Sequence, residues 1–240
     1  MLKSYVVKKA GKTEERPTLQ RVTTGITGLD KLLEGGLVKG STVLLAGGPG
    51  TGKTIFCAQF LMEGLKRGEK CLYITLEESP EDIIDDCMRF GWDLSKYLAN
   101  CQLKIEFKDP LEMVDVKREF LDNLCRLKMD RVVIDSTSVM GLYFKNPSDI
   151  RKNLYQTLQA IKQSGATTLV TAEAPEEGKT ITRFGVEEYV TDGVITMHFV
   201  GFGGASYHSL QIRKMRRTDH GKDIYPMFIN RNGIEIKKLE

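Results

Sequence analysis

Gly47, Gly48, Pro49, Gly50, Thr51, Gly52, Lys53 and Thr54 follow the spacing G-x-x-x-x-G-K-[ST] and come directly after the apolar run Thr42-Val43-Leu44-Leu45-Ala46. Glycines at this spacing let successive backbone N–H groups converge on phosphates without obstruction by a Cβ, and a helix N-terminus just beyond adds a partial positive charge. The pattern predicts a nucleoside triphosphate site, with Lys53 reaching the β and γ phosphates, the Thr54 hydroxyl offered to Mg²⁺, and Ile55 completing the loop set at the start of the helix. The bland alternative is a glycine-rich turn. The strand expected before the loop and the helix expected after it argue for the phosphate reading.

Hydrolysis would need two further groups, one for the metal and one for the water. Asp135 ends the strand-like run Arg131-Val132-Val133-Ile134 and suits a metal role opposite Thr54, acting through a water; its competing reading is a cap on the turn at Ser136. Glu77 and Glu78 follow the run Cys71-Leu72-Tyr73-Ile74-Thr75-Leu76, at a strand carboxyl end where open α/β sheets bind ligands. One of them can orient the attacking water while the other tunes it, or both are solvated acids favoured by the next helix N-terminus. Lys214 and Arg216, two apart at the end of a predicted strand, share a face. On spacing alone they read as a charged sheet edge or a nucleic-acid patch, because a grip on a γ-phosphate would lie far from the loop in a monomer.

These residues must be positioned by alternating strands and helices. After a short helix from Leu29 to Leu33, the positions Ile55, Phe56, Phe60, Leu61 and Leu65 recur at helical spacing up to Gly68. Ser79-Pro80-Glu81-Asp82 supplies an N-cap, a proline at N1 and first-turn acids for another helix. Strands are predicted at Leu103 to Phe107, from Arg131 and at Thr167 to Ala172, with helices at Val114 to Leu127 and through Ile150, Leu154, Leu158 and Ile161. From Gly193 on, Val194 to Val200, Ser206 to Lys214, Tyr225 to Ile229 and Ile234 to Ile236 read as strands joined by short turns. The fold class is therefore α/β, a mostly parallel central sheet flanked by helices with antiparallel C-terminal strands, of the RecA-like P-loop kind. Residues 1 to 20 read as a tail or arm, and 21 to 240 as a single domain.

Composition narrows the function. The chain has 240 residues, 35 basic and 32 acidic, for a net charge of +3, without the strong positive field of an obligate nucleic-acid coat. The five cysteines show no C-x-x-C and an odd total, so they read as buried thiols in a reducing cytoplasm. No apolar run is long enough to span a membrane, and the lysine-rich start has no signal-peptide core. His198, His208 and His220 have no metal-ligand spacing and are expected to be packed or surface side chains. No N-K-x-D occurs, which favours ATP over GTP, and neither a protein-kinase H-R-D nor a D-F-G is present.

Taken together, Thr24-Gly25-Ile26-Thr27-Gly28-Leu29-Asp30, the phosphate loop, Thr75-Leu76-Glu77-Glu78-Ser79-Pro80, Phe90-Gly91-Trp92-Asp93-Leu94, Ile134-Asp135-Ser136, Phe184-Gly185-Val186-Glu187-Glu188-Tyr189 and Lys214-Met215-Arg216 make the chain resemble the KaiC family within the RecA-like ATPases, from about Thr23 to Ile236. The resemblance implies a homo-oligomeric, hexameric ring with ATP or ADP and Mg²⁺ between neighbours and Glu77 and Glu78 as the catalytic pair. It also implies that Lys214 and Arg216 reach the γ-phosphate of the next subunit, that Met215, Thr218 and His220 line the neighbour's side of the nucleotide, and that Arg89 approaches the base. Such a ring supplies the proximity a monomer lacks. Two departures stand out. The family's clock protein carries two such domains and phosphorylates itself, whereas this chain has one and carries Glu187 and Glu188 in the region of the phosphoacceptors, so autokinase activity is not expected; and Arg217 replaces a glycine common after Lys-x-Arg. The leading expectation is an ATP hydrolase acting as a switch on an unknown protein partner. The alternatives are a DNA-associated RecA-like motor, poorly served by the acidic segment from Glu173 to Arg183, and a nonhydrolytic nucleotide sensor.

Overall fold

The computed structural model describes residues 19–109, 128–144, 146–175, 180–202 and 205–237. The predicted helix at Val114 to Leu127 and nearly all of the predicted N-terminal arm lie outside them. The chain opens with β1 (Arg21–Val22), α1 (Leu29–Leu32) and β2 (Leu37–Val38), β1 and β2 forming a small antiparallel pair that the sequence pattern does not announce. There follow β3 (Thr42–Gly47), α2 (Lys53–Lys66), β4 (Cys71–Thr75), α3 (Pro80–Arg89), α4 (Ser95–Ala99), β5 (Leu103–Phe107) and β6 (Arg131–Asp135). Next come α5 (Pro147–Ser164), β7 (Thr167–Glu173), α6 (Glu187–Val190), β8 (Gly193–Phe202), β9 (Ala205–Met215), β10 (Ile224–Asn230) and β11 (Gly233–Ile236).

One nine-stranded sheet takes the order β11-β10-β9-β8-β3-β7-β6-β4-β5. Every pairing from β8 to β5 is parallel, and β8, β9, β10 and β11 pair antiparallel, the mixed sheet expected from the two patterns of the sequence. The helix α2 covers one face, packing Phe56, Phe60 and Leu61 with Val43, Leu45, Tyr73 and Val133. On the other face Leu154, Leu158 and Ile161 of α5 pack with Leu72, Ile74, Ile134 and Val170. Strands buried on both faces read as continuous apolar runs, which is why they were visible without an alternating pattern. The predicted cap of α3 is present: Ser79 Oγ accepts from Asp82 N at 3.2 Å, with Pro80 at N1.

The expectation of uniformly buried thiols needs one correction. Cys57, Cys71 and Cys87 are buried, but Cys101 is exposed, in a left-handed turn (φ +60°) after α4 that points its side chain away from the core. Cys125 lies outside the described residues.

Arg131 is fully buried at the start of β6, where a purely apolar residue would have satisfied the pattern. Its Nη1 donates to the carbonyls of Thr23 (2.8 Å) and Phe60 (2.7 Å), its Nε to Glu69 (2.5 Å), and its guanidinium lies 4.5 Å from the Phe60 ring centre. Gly64 makes the room, since a Cβ there would come within 2.6 Å of Arg131 Cδ. The side chain thus fastens the segment before α1, the helix α2 and the sheet together. Replacing Arg131 by Met removes three charge-assisted hydrogen bonds while relieving the cost of burying the charge, and should lower unfolding stability by about 3 kcal/mol, read from urea denaturation.

Candidate functional site

The phosphate loop occupies the turn between β3 and α2, at the carboxyl edge of the parallel strands. Gly50 (φ +70°) and Gly52 (φ +90°) take the left-handed backbone that turns the chain into α2. Open space surrounds the Cα atoms of Gly48 and Gly50, while Thr51 Oγ1 donates to the Gly48 carbonyl at 2.8 Å and braces the turn. Lys53 Nζ donates to the carbonyls of Gly47 and Gly48, both at 2.9 Å, so the ammonium lies folded into the cradle of its own loop. Burial pushes the Lys53 ammonium below its ordinary value, against the opposing pull of Asp135, Glu173 and Glu77. Ile55 is half-buried against the α2 core and lines a small cavity with Thr54, Asp86 and Trp92.

Asp135 stands across from the loop at the end of β6. Its Oδ2 accepts from Thr54 Oγ1 at 3.1 Å and from Tyr73 Oη at 2.6 Å, and its Oδ1 accepts from Thr171 Oγ1. Parallel register accounts for this: Asp135 pairs with Thr75 on β4, Tyr73 lies two residues earlier on the same face, and Thr171 follows the Ile134–Val170 pair on β7. Burial first, and then the Asp135 charge, hold the Tyr73 phenol well above its ordinary value, so it remains a donor. The Asp135–Ser136 peptide is cis. Among the described residues no group of three or more His, Cys, Asp or Glu is arranged to hold a metal ion. The hydroxyl of Thr54 and the carboxylate of Asp135 are hard oxygen donors of the kind magnesium takes together with phosphates and water, so the residues present fit that ion.

The two glutamates past β4 differ. Glu77 Oε1 accepts from Ser136 Oγ at 2.6 Å, which holds its carboxylate beside Asp135, and Glu77 acts on the charge of Lys53. At Glu78 burial first, then the charges of Asp135, Asp86, Glu77 and Asp82, raise the carboxyl above the ordinary value. Thr75 Oγ1 fixes the backbone of both, accepting from Glu78 N at 3.0 Å and donating to the Glu78 carbonyl at 2.7 Å.

Lys214 and Arg216 share a side, as the spacing predicts, but at the other end of the sheet. Met215 pairs with Gly193 at the start of β8, whereas Gly47 pairs with Met197 farther along. The length of β3 separates the two ends, roughly 17 Å for its rise. Lys214 Nζ donates to the carbonyls of Glu188 (3.0 Å) and Thr191 (2.6 Å), and Arg216 Nη1 pairs with Asp192 Oδ1 at 3.3 Å. Burial, followed by the Arg216 charge, lowers the Lys214 ammonium from its ordinary value.

The remaining expected residues are scattered about these two ends. Met215 is buried and packs onto Gly193, its register partner on β8. Thr218 accepts from Arg21 Nη1 at 3.0 Å, and His220 Nδ1 lies 2.7 Å from the Gly221 carbonyl oxygen. Arg217 keeps a left-handed φ of +60°, so the chain preserves a glycine-like turn with a non-glycine residue, a strained choice costing about 1 kcal/mol. Arg89, exposed at the end of α3, pairs with Asp86 at 3.7 Å, and Asp86 lines the small cavity beside Thr54.

Sequence reasoning missed four groups. Tyr73 and Thr171 were hidden inside apolar and β-branched strand runs. Glu173 stands out in the sequence only as part of an acidic segment, yet it acts on the charge of Lys53 and pairs with Arg183 at 3.3 Å. His208, assigned no role, places Nε2 3.2 Å from the Gly50 carbonyl oxygen and packs on Phe199 at 4.5 Å. No spacing in the sequence signals that contact, because β9 reaches the loop only through the hairpin with β8.

Comparison with known proteins places the chain in a family. A family model described as "ATPase: KaiC" matches residues 22–240. The chain is 34% identical over 232 residues to the circadian clock oscillator protein KaiC of Thermostichus vulcanus, covering 92% of this chain and 45% of that protein. It is 36% identical over 227 residues to the protein of the same name in Parathermosynechococcus lividus, covering 90% and 42%. The chain thus spans less than half the length of these curated relatives. A crystal structure of a KaiC-like protein from the hyperthermophilic archaeon Pyrococcus horikoshii OT3 matches at 35% identity with a TM-score of 0.83, covering 92% of this chain and all of that one.

With the Lys53 ammonium already inside the cradle, its replacement by Met removes charge without changing the glycine turn. Affinity for ATP should fall at least tenfold, the loss of a charge-assisted contact worth about 1.5–3 kcal/mol, measured by isothermal titration calorimetry with circular dichroism to verify the fold.

Proposed function

The chain belongs to the KaiC family of ATPases, and on that footing we propose that it binds ATP with magnesium, hydrolyses it at interfaces between identical subunits of a ring, and uses the hydrolysis as a switch on a protein partner. The observation that carries this reading is the separation of the site into halves. The phosphate loop, Asp135 and Glu77 stand at one end of the sheet, and Lys214 and Arg216 at the other.

On binding, Lys53 exchanges the Gly47 and Gly48 carbonyls for the β and γ phosphates, and the loop amides face the same anion. Thr54, and Asp135 through a water, would hold the magnesium, whose charge would neutralise the phosphate oxygens. Glu77, fixed by Ser136, orients the attacking water, while Glu78 is the tuning member of the pair. From the adjacent subunit Lys214 and Arg216 bring positive charge to the developing negative charge of the γ-phosphoryl group, with the Met215 backbone, Thr218 and His220 beside them and Arg89 near the base. Among the described residues no helix is long and apolar enough to cross a membrane. We place the protein in the cytoplasm, where thiols such as Cys57, Cys71, Cys87 and Cys101 stay reduced.

Complementation tests the division of the site. Lys53→Met and Arg216→Ala proteins should each have little turnover alone. A ring built from both contains interfaces where the intact loop of an Arg216→Ala subunit meets the intact Arg216 of a Lys53→Met subunit, about a quarter of all interfaces under random head-to-tail mixing. Mixing and reassembly should therefore restore ATPase activity on that scale. If phosphate release in the mixture stays at the level of the separate variants although rings form, or if the wild-type protein with ATP and Mg²⁺ sediments only as a monomer, the reading fails.

A further inference from the structure

Three hydroxyls converge on Asp135, and only that of Thr54 belongs to the phosphate-loop motif. The other two come from the strands on either side of β6 in the sheet order β7-β6-β4: Thr171 reaches Oδ1, and Tyr73 reaches Oδ2 at 2.6 Å. Tyr73 is 1% exposed and Thr171 fully buried, so neither hydroxyl is exchanging with solvent. Phenylalanine would fill the Tyr73 position and serve the apolar face, where the ring already packs in the α2 core. A buried hydroxyl is desolvated at a cost that only a good partner offsets, and Asp135 is the partner both have.

We propose that Tyr73 and Thr171 are positioning residues for magnesium binding, clamping the Asp135 carboxylate from both strands so that it meets the Thr54 side of the phosphate loop in one orientation. The inference rests on the nucleotide–magnesium reading of this site. An acid at a strand end has two torsions to fix, and a donor on each oxygen fixes them before the ligand arrives. The clamp also decides which partner must yield: Thr54 and Tyr73 share Oδ2, so when the Thr54 hydroxyl turns to a cation, Tyr73 keeps that oxygen satisfied and Thr171 keeps the other. Groups that orient the residues around a metal commonly alter its affinity by about 10–100-fold when removed.

The test separates metal affinity from nucleotide affinity. Binding of a fluorescent ADP analogue to wild-type, Tyr73→Phe, Thr171→Val and Thr171→Ser proteins is measured in EDTA and across a Mg²⁺ titration, and Mn²⁺ binding in the presence of ADP is followed by electron paramagnetic resonance. Tyr73→Phe and Thr171→Val should leave the EDTA affinity unchanged and raise the Mg²⁺ and Mn²⁺ half-saturation about tenfold. Thr171→Ser, which keeps the hydroxyl, should stay within twofold of wild type, a rough bound for an intact donor. Should Tyr73→Phe prove unfolded by circular dichroism, the Thr171 pair decides. Cation half-saturation unchanged in folded Tyr73→Phe and Thr171→Val proteins, or reduced affinity equally in EDTA and Mg²⁺, overturns the clamp. If the wild-type protein itself gains nothing from Mg²⁺, the nucleotide–magnesium reading has failed and the clamp with it.

Discussion

The phosphate helix and the sheet are fastened together at one carboxylate. Asp135 receives hydroxyls from the first turn of α2, from β4 and from β7, so its place depends on three strands keeping register and on α2 lying across them. A slip of one residue between β6 and either neighbour would turn Tyr73 or Thr171 to the opposite face and remove the bond. The core on that face therefore works for the site: Phe56, Val43, Leu45 and Val133 hold the layers together just below Asp135. Cys57, also buried beside this carboxylate, has its thiol pushed well above the ordinary value by burial first and then by the Asp135 charge. No second anion is thereby created next to the Asp135 carboxylate.

The same sheet sets the limits of what one chain contains. Parallel strands put their carboxyl ends together at the phosphate loop, while β9, returning antiparallel beside β8, delivers its last residues to the amino end of β3. Lys214 and Arg216 are thus carried away from the loop of their own chain by topology, and no side-chain rotation spans the length of β3. A terminal hairpin in place of another parallel strand is what gives the chain two chemically different ends.

Much of this was legible in the sequence because the informative signals were local. Glycine and lysine spacing marked the loop, continuous apolar runs marked β3, β4, β6 and β7, and strand-end acids marked Asp135, Glu77 and Glu78. Paired cations two apart were correctly placed on one side, with Arg216 just beyond the end of β9. What sequence could not supply was any relation made by register between distant strands. Tyr73 looks like a core aromatic until β4 is set beside β6, and His208 looks like a surface histidine until the β8–β9 hairpin carries it to Gly50. Buried polarity is equally hard to foresee: Arg131 begins an apolar strand run, and only the absence of a side chain at Gly64 leaves space for it. The distinction between Glu77 and Glu78 likewise comes from Ser136, a contact across two strand ends rather than a pattern along one.

The ion pair of Arg216 is one of several contacts that Asp192 makes. Asp192 is nearly buried, with Lys162 donating to both its oxygens at 3.0 and 2.8 Å and the Thr42 amide donating at 3.1 Å. Burial pushes the Asp192 carboxyl up, but these donors, with the Arg216 charge, hold it below its ordinary value overall. Arg216 is the outermost partner, its side chain 56% exposed. Losing the only partner of a buried charge is expensive, whereas losing an exposed one among several costs little. Without Arg216, Asp192 would still have Lys162 and Thr42, and no buried charge would be stranded. The structure therefore holds the arginine in a defined place through an exposed ion pair, while Lys214 is bound to two carbonyls rather than to a carboxylate.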